Sequence, residues 1–140
     1  MATKMFVNLP VTELKRSIDF YAALGFTLNP QFSDDTAACM VISDENYVML
    51  LTHEKFKGFS DNPIPDAHKS TGLMVAILCE NREEVDGKMH SALARGGSEP
   101  RPATDLGFMY NRTIADPDGH RWEPFTMDMS AMPQPQGSNG

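Results

Sequence analysis

Basic residues are scarce in this 140-residue sequence: 12 lysines and arginines face 19 aspartates and glutamates, for a formal net charge of −7. Nucleic acid and anionic membrane surfaces are bound through a positive field. No Lys/Arg cluster supplies one even locally, so neither partner is expected. Long apolar runs are missing too: runs such as Met74 to Leu78 and Tyr47 to Leu51 fall far short of the ~20 residues that cross a bilayer. Asn8 and Pro10 interrupt the stretch that a signal peptide would need unbroken, which makes a cytoplasmic location the expectation. Cysteine is limited to Cys39 and Cys79. Two are too few for a disulfide framework, and their separate apolar settings predict buried reduced thiols. No Ser-His-Asp or Cys-His nucleophile set and no Gly-rich phosphate loop is present, so covalent catalysis has no support.

What is present is the composition of a folded domain, 41% hydrophobic and 22% charged, with a readable order of elements. Met5 to Val11 suits a strand. Leu14, Ile18, Tyr21 and Leu24 then recur at helical spacing, with Thr12 placed as N-cap and Gly25 as the stop. Phe26 to Leu28, Ala37 to Ile42 and Tyr47 to Thr52 read as three more strands, the last two joined through Ser43 to Asn46. His53 to Thr71 is a connector rich in Pro, Gly and charge, with one helical turn at Glu54 to Phe59. The order then restarts: strand Leu73 to Cys79, helix Arg82 to Arg95, and a hairpin of Phe108–Ala115 with His120–Met127 around Asp116-Pro117-Asp118-Gly119. Phe6 and Leu9 match Met74 and Ile77, Gly25 matches Gly96, and Asp44 to Asn46 match Pro117 to Gly119. The expected fold is α+β, with two paired βαβββ modules forming a concave mixed sheet and helices on its outer face. The domain spans 1–128 (module one 4–52, connector 53–71, module two 72–128), followed by a flexible tail, 129–140.

Asn8-Leu9-Pro10-Val11, Ser17-Ile18-Asp19-Phe20-Tyr21, Leu24-Gly25-Phe26 and Asp116-Pro117-Asp118-Gly119-His120 with Trp122-Glu123 together resemble the glyoxalase/bleomycin-resistance/extradiol-dioxygenase superfamily, the vicinal oxygen chelate proteins. Asn29-Pro30-Gln31-Phe32, Met49-Leu50-Leu51-Thr52 and Gly107-Phe108-Met109-Tyr110 are similar to a bacterial subgroup described as predicted lactoylglutathione lyases. The resemblance implies a homodimer and a divalent metal held by the first and last strands of each module. The corresponding positions here are Phe6, Leu50, Met74 and Glu123. Only Glu123 can ligate a hard metal, whereas a catalytic site needs about three N/O ligands, so no metal and no other cofactor is expected.

Strand alternation sends every second residue to one face. With Phe6, Leu50, Met74 and Glu123 on the concave face, Asn8, Val48, Thr52, Ala76, Leu78, Arg121 and Phe125 join them, while Val7, Leu9, Leu51, Val75, Ile77 and Trp122 face the helices. The first set is an apolar surface with a few polar groups, suited to a small organic molecule. The candidate ligand contacts are Phe6, Asn8, Leu50, Thr52, Met74, Ala76 and Arg121, with Tyr110 at the rim. Glu123 has two open readings. Either it serves an enzyme, as the general base of a glyoxalase-like lyase or isomerase with its pKa raised by apolar neighbours or as the sole retained metal ligand of a lactoylglutathione-lyase-like or dioxygenase-like enzyme, or it pairs with Arg112, Arg121 or a partner subunit. The sequence leaves open whether the protein is an enzyme. His53 and His120 are expected as solvated or capping residues, and the ten methionines as adaptable packing.

Overall fold

Val7, Leu9 and Val11 of the first strand, β1 (Met5–Val11), point toward the core, while Phe6 and Asn8 stay exposed on the other face. The structure, a computed structural model, describes residues 2–131. Helix α1 (Leu14–Ala23) buries Ser17, Phe20 and Tyr21 against that core. Its cap is not Thr12, the residue that sequence spacing favours. The N-cap is Glu13, whose side chain makes no capping bond, while Thr12 donates through both N–H and hydroxyl to Asp118 Oδ1, at 3.1 and 2.7 Å. A carboxylate from the far end of the chain is a stronger acceptor partner than the role of local cap offers. Gly25 stops the helix at φ +102°, and Lys88 Nζ donates to the Leu24 carbonyl at 2.7 Å, satisfying one orphan acceptor at that end.

Strands β2 (Thr27–Asn29), β3 (Ala37–Val41) and β4 (Asn46–Thr52) complete a sheet of order β1-β4-β3-β2, in which β1 and β4 are parallel. The short helix α2 (His53–Lys57) starts directly from β4, capped by Thr52 Oγ1 accepting from the Lys55 N–H. The second module repeats the plan: β5 (Met74–Leu78), α3 (Arg82–Leu93), β6 (Thr104–Asp105), β7 (Met109–Asn111), β8 (Ile114–Ala115) and β9 (Arg121–Met127). Its sheet has the order β5-β9-β7-β6, with β8 beside β9 and β5 parallel to β9. The continuous strand expected over Phe108–Ala115 is broken between Asn111 and Ile114. The two-residue β6 is too short to show a period and has no counterpart in the expected order. Asn81 caps α3 by accepting from the Glu84 N–H, as such a residue does. Of the tail expected to be flexible, Met129–Ala131 forms a 3₁₀ turn, and 132–140 lie outside the described residues. Among the described residues, no helix is long and apolar enough to cross a membrane.

The register corrects the expected facing of β4. Val7 pairs with Val48 and Leu9 with Leu50, so Val48 and Leu50, both fully buried, belong to the helix-side core. Thr52 follows the same parity, and Tyr47, Met49 and Leu51 take the concave side. Every residue from Tyr47 to Leu51 is apolar or aromatic, so the pattern holds no polar alternation from which a face could be read.

The inner edges of the two sheets are β1 and β5. One cavity is lined by Met5 and Val7 together with Val75 to Leu78, and another by Asn8 to Pro10 together with Leu73 and Val75. The edges therefore run antiparallel, as two equivalent modules facing each other would. Holding them together is a buried relay: Trp122 Nε1 donates to the Tyr21 hydroxyl (2.9 Å), which donates to Asp116 Oδ2 (2.6 Å). Asp116 Oδ1 accepts from the Asp118 and His120 N–H groups, folding the final turn. Burial pushes the Asp116 carboxyl up, and burial together with the adjacent Asp116 pushes the Tyr21 phenol well up. The Asp-Pro-Asp-Gly segment is thus a clasp between modules. Both cysteines are free and buried, and burial raises both thiols.

Candidate functional site on the concave face

β1 contributes Phe6 and Asn8 to the concave face, and β4 contributes Tyr47 and Met49. Phe6 stacks on Tyr47 with ring centroids 4.5 Å apart and planes 9° from parallel, and Asn8 lies beside Met49, which pairs with Cys39. Across the seam, Met74 pairs with Arg121, Ala76 with Glu123 and Leu78 with Phe125. Because Trp122, Val75 and Ile77 belong to the opposite, core side, these three pairs face outward. Phe6, Met74 and Leu78 are 52%, 56% and 70% exposed. A broad apolar surface therefore stands open, with Asn8, Arg121 and Glu123 as its polar points.

Of the residues expected there, Phe6, Asn8, Met74, Ala76, Arg121 and Glu123 share this surface. Leu50 does not, for the reason of register given above, and Met49 takes its place. Thr52 is engaged at the start of α2. Tyr110 does not form the rim: it pairs with Thr126, on the face that meets α3, and its hydroxyl donates to Asp86 at 2.6 Å while Arg82 lies over its ring. An uninterrupted strand over 108–115 gives no means of telling which face Tyr110 takes, and the break after Asn111 decides it.

Arg112 is not a partner of Glu123 either. Its backbone N–H donates to the Pro124 carbonyl, and its guanidinium makes a two-pronged contact with Glu99 (2.9 and 2.8 Å) plus a bond to Asp86 (2.9 Å). Glu99 is held below the usual carboxylate range by Arg112, and Asp86 by the Tyr110 hydroxyl and then Arg112. Glu123 is half-buried and makes no ion pair among the described residues. Lowered carboxylate pKa values add stability above the unfolded value of about 4, which is lost as pH falls through the lowered folded values. Arg112→Met is therefore expected to cost about 1 kcal/mol at neutral pH, because the pairs are partly exposed. That difference should shrink toward zero near pH 2–3, as urea denaturation of both proteins at the two pH values would show.

Sequence reasoning missed Tyr47 and Met49. The only signal available was the pairing partner: Leu9 needs a core neighbour, and a parallel β1–β4 ladder makes that neighbour Leu50. Among the described residues, no three His, Cys, Asp or Glu side chains are grouped to hold a metal ion. On the concave face, Phe6, Met49 and Met74 offer no hard donor beside Glu123.

Comparison with known proteins agrees with this architecture. Residues 5–123 match the family described as Glyoxalase/Bleomycin resistance protein/Dioxygenase superfamily. Among solved structures, the chain is similar to hypothetical protein SA1046 from S. aureus, with 25% identity over 90% of this chain and 94% of that one and a TM-score of 0.76. It is also similar to a glyoxalase-related enzyme from Fulvimarina pelagi (20% identity, 90% and 88% covered, TM-score 0.75). A glyoxalase/bleomycin resistance protein/dioxygenase family enzyme from Burkholderia phytofirmans PsJN shares 15% identity, with 90% and 99% covered and a TM-score of 0.73. No protein with a curated description matches.

Proposed function

We propose that this chain, which belongs to the Glyoxalase/Bleomycin resistance protein/Dioxygenase superfamily, binds a small organic ligand on its concave face without a metal ion. The observation that carries this reading is the residue set at the positions where the resemblance implies metal ligands. With the register corrected these are Phe6, Met49, Met74 and Glu123, three apolar side chains and one carboxylate. A Zn²⁺, Ni²⁺ or Fe²⁺ centre needs about three nitrogen or oxygen ligands, so these residues do not fit the family's metal. What they do suit is a flat apolar body: an aromatic pair, two thioethers that adapt their shape, and Asn8, Arg121 and Glu123 to orient it. The exposure of Phe6, Met74 and Leu78 also favours a homodimer in which a second copy closes the face.

The test is metal analysis of protein purified without chelator or metal-affinity tag. It is paired with turnover of the methylglyoxal–glutathione hemithioacetal, with and without added Ni²⁺, Zn²⁺ or Fe²⁺. Neither stoichiometric metal nor metal-dependent turnover is expected. Aromatic fragments should raise Tm, and that rise should be lost in Phe6→Ala, since a ligand at a hundred times its Kd stabilises by about 2.7 kcal/mol. Stoichiometric metal with turnover abolished in Glu123→Ala would overturn the reading.

A second reading, a glyoxalase-like lyase or isomerase close to the predicted lactoylglutathione lyases, is favoured by Glu123 itself. Glu123 is the concave face's carboxylate, half-buried beside Ala76 and free of ion pairs among the described residues, as a general base needs to be. Turnover independent of added metal and lost in Glu123→Gln would support it.

A further inference from the structure

The chain pairs the charges that it withdraws from water. Among the described residues, the partly or fully buried carboxylates Glu84, Glu99, Asp116 and Asp118 each accept at least one hydrogen bond. The partly buried cations Arg16, Lys88 and Arg112 each donate to a protein oxygen. Such pairing is the rule in a poorly solvated place, because an unpartnered charge there loses hydration with nothing in exchange. Two partly buried charges break the rule. Arg121 and Glu123 have neither a side-chain hydrogen bond nor an ion pair among the described residues, with each other or with any neighbour.

Both stand on the concave face. Two residues apart on β9, they leave the same side of the strand with their stems about 7 Å apart. Beside them on β5 are Met74 and Ala76, and Ala76, itself exposed, is too short to screen Glu123. The inner edges of the sheets run antiparallel, so Asn8 falls on the Arg121 side of the seam and Phe6 on the Glu123 side. The Asn8 side chain also makes no hydrogen bond among the described residues. The face therefore offers one cation with an amide beside it, one anion, and a stacked aromatic pair next to the anion. Its two charges sum to zero, so neither an anion nor a cation alone is complementary to it. A molecule that carries both signs is.

We propose that the ligand of the concave face is a zwitterion, an amino acid with an aromatic side chain, a proposal that rests on reading this face as a ligand site. Its carboxylate meets Arg121 and the Asn8 amide, its ammonium meets Glu123, and its ring lies over Phe6. Each unpartnered charge of the protein then gains a charge-assisted hydrogen bond, the strong kind.

The experiment is a ¹H–¹⁵N titration of the full chain with L-phenylalanine and with three analogues that keep its ring. These are 3-phenylpropanoate, which lacks the ammonium, 2-phenylethylamine, which lacks the carboxylate, and the uncharged 3-phenylpropan-1-ol. Saturable shifts are expected at Phe6, Ala76, Glu123 and the Arg121 Nε–H. L-Phenylalanine should bind about tenfold more tightly than either singly charged analogue, as one further charge-assisted hydrogen bond implies. Glu123→Gln should bring it down to the affinity of 3-phenylpropanoate, and Arg121→Gln to that of 2-phenylethylamine. Neither variant removes a bond of the folded chain, so both should keep the wild-type Tm. L-Phenylalanine binding no more tightly than a singly charged analogue, while the alcohol still saturates this face, would overturn the proposal and leave the face an apolar ligand site. Saturation by none of the four compounds at these residues would overturn both the proposal and the reading on which it rests.

Discussion

Trp122→Ala is expected to be the most damaging single truncation, lowering unfolding stability by about 3–5 kcal/mol. The side chain is fully buried and stands edge-on to both Tyr21 and Phe26, with ring centroids 5.4 Å away in each case. Truncation leaves a cavity where the modules meet and removes the only indole of the chain. It also takes the donor from the Tyr21 hydroxyl, leaving a buried oxygen with one partner fewer. Trp122→Phe separates the two effects. It keeps most of the packing and loses the N–H, so a smaller cost of about 1–2 kcal/mol is expected. Urea denaturation followed by far-ultraviolet circular dichroism gives both values without relying on the lost fluorophore. Near-equal costs for the two variants would mean that the hydrogen bond, rather than the ring volume, carries the stability.

Gly119→Val should rank next. The residue sits at φ +93°, where a β-branched side chain is strained. The Cβ would also meet backbone atoms of Ala67 and His68 at 2.7 Å, and backbone cannot swing aside as a side-chain tip can. Together these are expected to cost about 3 kcal/mol. Gly107 provides the control. It has φ +83°, but a Cβ added there would have nothing within 4 Å, so Gly107→Ala bears the backbone penalty alone, about 1 kcal/mol. Chemical denaturation of the two variants measures the difference, which reports how firmly the connector is seated on the final turn. If Gly119→Val costs no more than Gly107→Ala, the connector yields easily to the final turn.

How much of this was legible in the sequence depended on local contrast. Where a strand carried polar residues at every second position, its facing could be read. Asn8 fixed β1, and Arg121 and Glu123 around Trp122 fixed β9. Gly25 and Gly96 ended their helices because each takes a positive φ that the residues around them resist. In β4 no such contrast exists, and only the ladder with β1 decides between Leu50 and Met49. Thr12 and Arg112 depart from their expected roles for a different reason. Each had a plausible local partner, a helix amide or the facing strand, but long-range carboxylates, Asp118 for one and Glu99 with Asp86 for the other, are better acceptors. The seating of the connector on the final turn was invisible because the two lie far apart in the chain and share no periodic pattern.

The parallel pairing of the first strand of each module with its last has a consequence for synthesis on the ribosome. β1 gains its ladder partner only when β4 has emerged, and β5 only when β9 has. A nascent module one can close its sheet at Thr52, but Tyr21 and Phe26 meet neither Asp116 nor Trp122 until β9 has left the exit tunnel. For that interval the α1 face that later contacts Trp122 is exposed on a half-built protein, a state prone to self-association or chaperone capture. Slow translation through the connector would prolong it, whereas rapid completion of β9 would end it in one cooperative step.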